Sequence, residues 1–192
     1  MKNIILIGPP GAGKGTLAKS IVEKEKLVHI ATGDLIREEK KKGSSIGLLA
    51  ERISDNGHFL PDNIVMEMVK QKVIDNSGAA GFIFDGFPRT VDQAKMLDEF
   101  LNQRKTPINK VVFLSIPNAL IEKRLSIRAE LEGRADDAPE VVKTRIGVYE
   151  KQTAPLVNYF ENGYLFAANR GMVKVDASRT KEEVLAEVIT LI

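Results

Sequence analysis

The sequence contains no cysteine, which excludes disulfides, iron–sulfur clusters and thiolate zinc sites and fits a reducing cytoplasm. Stability must then come from packing, and 192 residues with 43% hydrophobic content suffice for one compact domain with a sizeable core. No apolar run approaches the length of a membrane span. The opening Met1-Lys2-Asn3 with Ile4 to Ile7 also lacks a signal-peptide cleavage region, so the expectation is a cytoplasmic protein with no membrane partner. Neither charge sign dominates: 28 Lys and Arg stand against 26 Asp and Glu, a formal net charge of +2 that gives no reason to expect nucleic-acid binding. Fixed-period repeats and low-complexity tracts are absent, and the longest charge run, Arg37 to Lys42, reads as a solvated helix face.

What is present is an alternation. Short apolar, β-branched runs at Asn3 to Ile7, Val28 to Ile30, Phe82 to Phe84, Lys110 to Ile116 and Met172 to Val175 read as buried strands. Between and after them lie amphipathic segments at Lys14 to Lys24, Asp62 to Asp75, Val91 to Arg104, Asn118 to Glu130, Pro139 to Glu161 and Lys181 to Ile192. Strands alternating with helices predict an α/β fold with a parallel sheet covered on both faces. Asp62 is placed to cap the helix it opens, and Pro139 suits a first helical turn. Residues 31 to 61 read as two short helices broken at Gly43 to Ser45 and Gly57. They and the charged residues 125 to 138 look like insertions above the sheet.

Gly8-Pro9-Pro10-Gly11-Ala12-Gly13-Lys14-Gly15-Thr16 almost spells the phosphate-loop pattern, with Gly15 where a serine or threonine stands in the general form. A strand precedes it and a helix follows, the context in which converging N–H groups and a helix N-terminus hold phosphate oxygens. Lys14 would reach the terminal phosphates. Thr16, one residue late for a direct magnesium ligand, would face a phosphate oxygen. Asp85 ends an apolar strand and can orient magnesium-bound water.

Three further clusters follow: Thr32-Gly33-Asp34-Leu35-Ile36-Arg37, Gly81 to Thr90 with Gln93, and Gly133-Arg134-Ala135-Asp136-Asp137 with Arg145. Together with the GxPGxGKGT opening they resemble the adenylate kinase signatures over nearly the whole chain, and in that family Gly followed by Thr after the lysine is the normal spelling. The resemblance implies a P-loop NTPase-like, five-stranded parallel sheet flanked by helices. It implies a core of about residues 1–30, 61–124 and 138–192, an NMP-binding region over about 31–60, and a short lid over about 125–137. A lid this short, without cysteine, excludes the structural zinc of long-lid members. The implied activity is reversible, magnesium-dependent phosphoryl transfer from ATP to AMP giving two ADP, by a monomer.

Residue by residue, the resemblance gives Lys14, Asp85, Arg89, Arg128, Arg134 and Arg145 to the transfer step. It gives Gly11, Ala12, Gly13, Lys14, Gly15, Thr16, Arg128 and Arg179 to ATP. The AMP side takes Thr32, Arg37, His58, Phe59, Leu60, Gly86, Phe87, Pro88, Arg89, Gln93, Arg134 and Arg145. No direct protein ligand to magnesium is implied; Asp85 and Thr16 would act through water. Arginine suits the task because its planar guanidinium grips phosphate with two parallel hydrogen bonds. Arg124, which gathers with the other arginines around the lid, stands open between a functional role and a surface ion pair.

Asp34 reads as a helix cap, and Asp136 and Asp137 as arginine partners. His29 and His58 share no triad or metal-ligand spacing and read as structural or surface residues. Tyr149, Tyr159 and Phe160 recur at helical spacing and read as core. Thr32 with Gln93 favours adenine over the pyrimidines of UMP/CMP kinases, which carry Ala and Asn there; a nucleotide-binding protein without turnover is the rival from another class.

Overall fold

In a computed structural model, described for residues 1–133, 135–162 and 171–192, five parallel strands form one sheet in the order β2-β3-β1-β4-β5. The strands are β1 Lys2–Ile7, β2 Val28–Ala31, β3 Gly81–Asp85, β4 Lys110–Ser115 and β5 Met172–Asp176. Ile4 to Ile7 are at most 2% exposed, as a strand covered on both faces requires. Alternation then divides them between two cores. Ile5 and Ile7 join Phe82, Phe84 and the helices α4 (Asp62–Asp75), α5 (Val91–Gln103) and α8 (Pro155–Asn162). Ile4 and Leu6 join Ile83, α1 (Lys14–Glu25) and α9 (Lys181–Leu191) on the other face.

β1 lies at the centre, flanked by β3 and β4, with Leu6 beside Asp85 in the register. The chain leaves β1 toward β2 on one side and reaches β4 on the other, so the carboxyl end of β1 is where a ligand crevice opens in such sheets. Above that end sit α2 (Thr32–Lys42), α3 (Ser45–Ile53) and a 3₁₀ turn at Ser54–Asn56. On the far side stand α6 (Asn118–Glu132), a 3₁₀ turn at Ala135–Asp137 and α7 (Pro139–Val148).

Several local readings change. α6 continues to Glu132, so most of the charged stretch after residue 125 is helix. Asp62 does not cap α4: Pro61 occupies that place, and the Asp62 carboxylate accepts hydrogen bonds from Thr90 Oγ1 and Gln93 Nε2, both at 2.7 Å. Asp34 lies within the first turn of α2, caps nothing, and pairs with Arg37. The single helix expected over 139–161 is interrupted by a π turn at Tyr149–Thr153.

One buried polar side chain ties the sheet together. Asn3 is fully buried; its Nδ2 donates to Thr106 O at 2.6 Å and its Oδ1 accepts from Phe82 N at 3.2 Å. Asn3→Ala strands both partners in the interior, a loss of about 1–3 kcal/mol. A lower urea midpoint with an unchanged slope is the expected result, and an unchanged midpoint would contradict it.

Candidate active site

The loop after β1 is shaped by contacts only glycine permits. A Cβ added at Gly8 would come 2.7 Å from Leu114 O, so a side chain there would push the loop off β4. Gly13 caps α1 with a left-handed backbone, φ 88°, leaving the first N–H groups of the helix without intrahelical partners and open to an anion. Gly15 accounts for the missing hydroxyl in steric terms: a Cβ added there would lie 3.3 Å from Asp85 Oδ2. A side chain here would crowd the carboxylate from β3, which would have to shift by a few tenths of an ångström.

Lys14 turns back into the loop, donating to Gly8 O at 2.7 Å and Pro9 O at 2.9 Å. Desolvation drives its pKa down to about 7 against the raising effect of Asp85, and Arg89, Arg145 and Arg128 lower it further. Burial pushes the Asp85 carboxyl up, but the His29 hydrogen bond and the Lys14, His29 and Arg89 charges outweigh it and hold it below the usual carboxylate range. His29 Nε2 stands 3.3 Å from Asp85 Oδ2. The structural or surface role expected of His29 becomes a specific one, as the part-buried partner of Asp85. Its signal lay in the sheet, since Ala31 pairs with Asp85 and His29 shares its face.

Arg128 grips Asp137 with two hydrogen bonds of 2.6 Å, Nε to Oδ2 and a terminal NH2 to Oδ1. Arg145 also pairs with Asp137 and lies 2.9 Å from the Asp136 carboxylate, so both aspartates have the arginine partners expected of them. Arg89 donates from Nε to Gly86 O at 2.9 Å, and its guanidinium lies 4.8 Å from the centre of the Phe59 ring. Arg124 donates to Ala177 O at 2.9 Å, and Arg179 pairs with Glu187. Arg134 lies outside the described residues.

Two cavities meet over the carboxyl end of β1. One, about 630 Å³, is walled by Arg37, His58, Phe59, Gly86, Pro88 and Tyr149, among others. Burial, then the neighbouring Glu150 charge, pushes the hydroxyl of Tyr149 up to about 12, so this residue of the cavity wall is un-ionised. The other, about 580 Å³, is walled by Gly11, Ala12, Gly13, Gly15 and Thr16 with Asp85, Arg124, Arg128 and Arg179. Lys14, Arg89 and Arg145 line both.

Thr32, Leu60, Phe87 and Gln93 are 0–3% exposed and stand behind the first cavity's wall. Thr32 Oγ1 donates to Gly86 O at 2.7 Å, and both ends of the Gln93 amide are engaged, with Asp62 and with Arg89 N. A base reaching Gln93 therefore meets only its second N–H and second lone pair. Among the described residues, no three His, Asp or Glu side chains converge as a metal cluster, and no helix is long and apolar enough to cross a membrane.

The family model described as adenylate kinase matches residues 6–164. Among curated proteins, the adenylate kinase of Maricaulis maris is 41% identical over 185 residues, covering 96% of this chain and 95% of the relative. That of Phenylobacterium zucineum is 42% identical over 174 residues, covering 91% and 92%. That of Cyanothece sp. is 36% identical over 188 residues, covering 98% and 93%.

Lys14 yields a signed prediction. With its pKa near 7 it is mostly neutral at pH 8.5, and a phosphate held beside it would raise it, so a nucleotide bound on this loop would take up a proton there. Calorimetry in two buffers of different ionisation heat should show this uptake, and Lys14→Met should abolish it. Equal proton uptake by both proteins would contradict the assignment.

Proposed function

The chain belongs to the adenylate kinase family and transfers the terminal phosphoryl group of ATP to AMP, and we propose that the two cavities are its two nucleotide sites. The observation that carries this is the shared wall: Lys14, Arg89 and Arg145 face both spaces, where the phosphates of two nucleotides would meet.

ATP would take the glycine loop, with Gly11 to Thr16 around its phosphates and Arg128 and Arg179 on the opposite side. AMP would take the other cavity, its phosphate on Arg37, Arg89 and Arg145, with Arg134 beside them. The adenine of AMP would lie against His58, Phe59, Leu60, Gly86, Phe87 and Pro88, with Thr32 and Gln93 selecting it. Residues 31–60 then form the AMP-binding region and residues 125–137 the lid over a core of 1–30, 61–124 and 138–192.

Two highly anionic reactants must be brought together, and this chain's cations do that work. An AMP phosphate oxygen attacks the terminal phosphorus of ATP, the bond to the bridging oxygen breaks, and ADP leaves as a second ADP forms. The attacking oxygen is already anionic, so no general base is needed. Lys14, Arg89, Arg128 and Arg145 stabilise charge on the group in transit, and closure of the lid would keep water from accepting it. Before substrate arrives Arg37 rests on Asp34 and Arg128 on Asp137, partners that the nucleotide phosphates would replace.

Magnesium fits this site: Asp85 is a charged, nearly buried carboxylate beside the loop, and the exposed Thr16 lines the same cavity. Both would hold the ion through water, and bound magnesium would neutralise phosphate charge. The protein would act as a cytoplasmic monomer on ATP, AMP and ADP, without nucleic acid, membrane or structural zinc.

Initial rates with ATP and AMP, CMP, UMP or GMP should favour AMP, as Thr32 and Gln93 require; a pyrimidine preference would reject the adenine assignment. Arg89→Ala should lower kcat/KM for AMP by about 100- to 1,000-fold, with an unchanged melting temperature. Near-normal rates would remove Arg89 from the phosphate site.

A further inference from the structure

The π turn at Tyr149–Thr153 is closed by Ala154 N donating to Tyr149 O at 2.9 Å. A π turn holds one residue more than an α turn, so the helix beyond it is rotated by about 100° relative to an uninterrupted one. Pro155, which has no N–H to give to the preceding turn, favours an irregularity here. The consequence is visible at the last residue of the turn. Thr153 is 5% exposed, and its hydroxyl donates to Arg89 O at 2.8 Å.

Arg89 lies between β3 and α5, where neither ladder nor helix holds its backbone. Side chains from two other places hold it instead. Its N–H is taken by Gln93 Oε1 at 2.7 Å and its carbonyl by Thr153. Gln93 is fixed in turn by Asp62, at the start of α4, through a 2.7 Å hydrogen bond. The backbone of Arg89 is therefore clamped between α5 and the π turn, and its guanidinium leaves the clamp toward both cavities. Arg145 stands eight residues before Thr153 on the same run of helix, so one element carries an arginine of the site and the brace of another.

We infer that Thr153 is a positioning residue for the acceptor: the π turn presents its hydroxyl to the Arg89 carbonyl and thereby sets where the Arg89 side chain meets the AMP phosphate. This rests on the reading of Arg89 as a ligand of that phosphate. A threonine that merely satisfied a buried carbonyl would affect stability and leave the substrates alike, whereas a positioning residue acts on one substrate.

Thr153→Val keeps the side-chain shape and removes the donor, and Thr153→Ser restores the donor. The KM for AMP should rise about five- to tenfold in Thr153→Val, the loss of about one neutral hydrogen bond, while the KM for ATP changes less than about twofold. Thr153→Ser should recover most of the AMP affinity. The rise in melting temperature produced by AMP should shrink in Thr153→Val, and that produced by ATP should persist. Thr153→Ala supplies the same comparisons if Thr153→Val does not fold. A lower melting temperature with both KM values unchanged, or an equal rise in both, overturns the inference. Arg89→Ala measured alongside separates the two levels. If it leaves the KM for AMP unchanged, the reading beneath the inference fails; if it raises that KM while Thr153→Val does not, only the positioning role fails.

Discussion

Lys14 and three arginines, Arg89, Arg128 and Arg145, gather at the carboxyl end of β1, and the rest of the site depends on holding them together before a nucleotide phosphate lies among them. Their mutual repulsion is visible in the lowered pKa of Lys14, to which the three arginines contribute after desolvation. Two nearly buried carboxylates oppose it. Asp85, from β3, faces Lys14 and stays ionised despite burial, and Asp137, fully buried at its side chain, binds Arg128 and Arg145 together. Charge is thus stored in the free protein in positions that the phosphates of two nucleotides would take over. This is electrostatic preorganisation: the dipoles and charges stand before the reaction begins, and no reorganisation is required when charge shifts between phosphates.

The fold exists around that cluster. A central strand buried on both faces delivers the glycine loop, its neighbour delivers Asp85, and the two helical insertions bring arginines from opposite sides. The insertions also touch one another. A Cβ added at Gly57 would come 3.0 Å from Arg145 Cγ and 3.2 Å from a Val141 methyl, so the residue after the 3₁₀ turn packs against α7 at one of the arginines that line both cavities.

Much of this was legible in the sequence, because strand runs and glycine loops are local. All five strands and the bounds of α4 follow from β-branched runs and apolar periodicity. What failed was tertiary or depended on a single position. Asp62 and Asp34 carry the residue type of a cap, yet each sits inside its helix, and their carboxylates serve Gln93 and Arg37 instead. The π turn escaped because its one buried residue, Thr153, is polar and Lys151 and Gln152 beside it are exposed, so no apolar period marks the change of phase; Pro155 was the one local sign. Gly15 was legible as a departure from the general loop pattern, but its neighbour, the Asp85 carboxylate 3.3 Å from where a Cβ would stand, is set by β3 lying beside β1.

The central claim is that one set of cations serves two nucleotides at once. Steady-state inhibition by a bisubstrate mimic, two adenosines joined through a chain of phosphates, tests it most directly. One mimic per chain, competing with both ATP and AMP, is the result this account predicts. A mimic that competes with only one of them, or that binds twice, would contradict it.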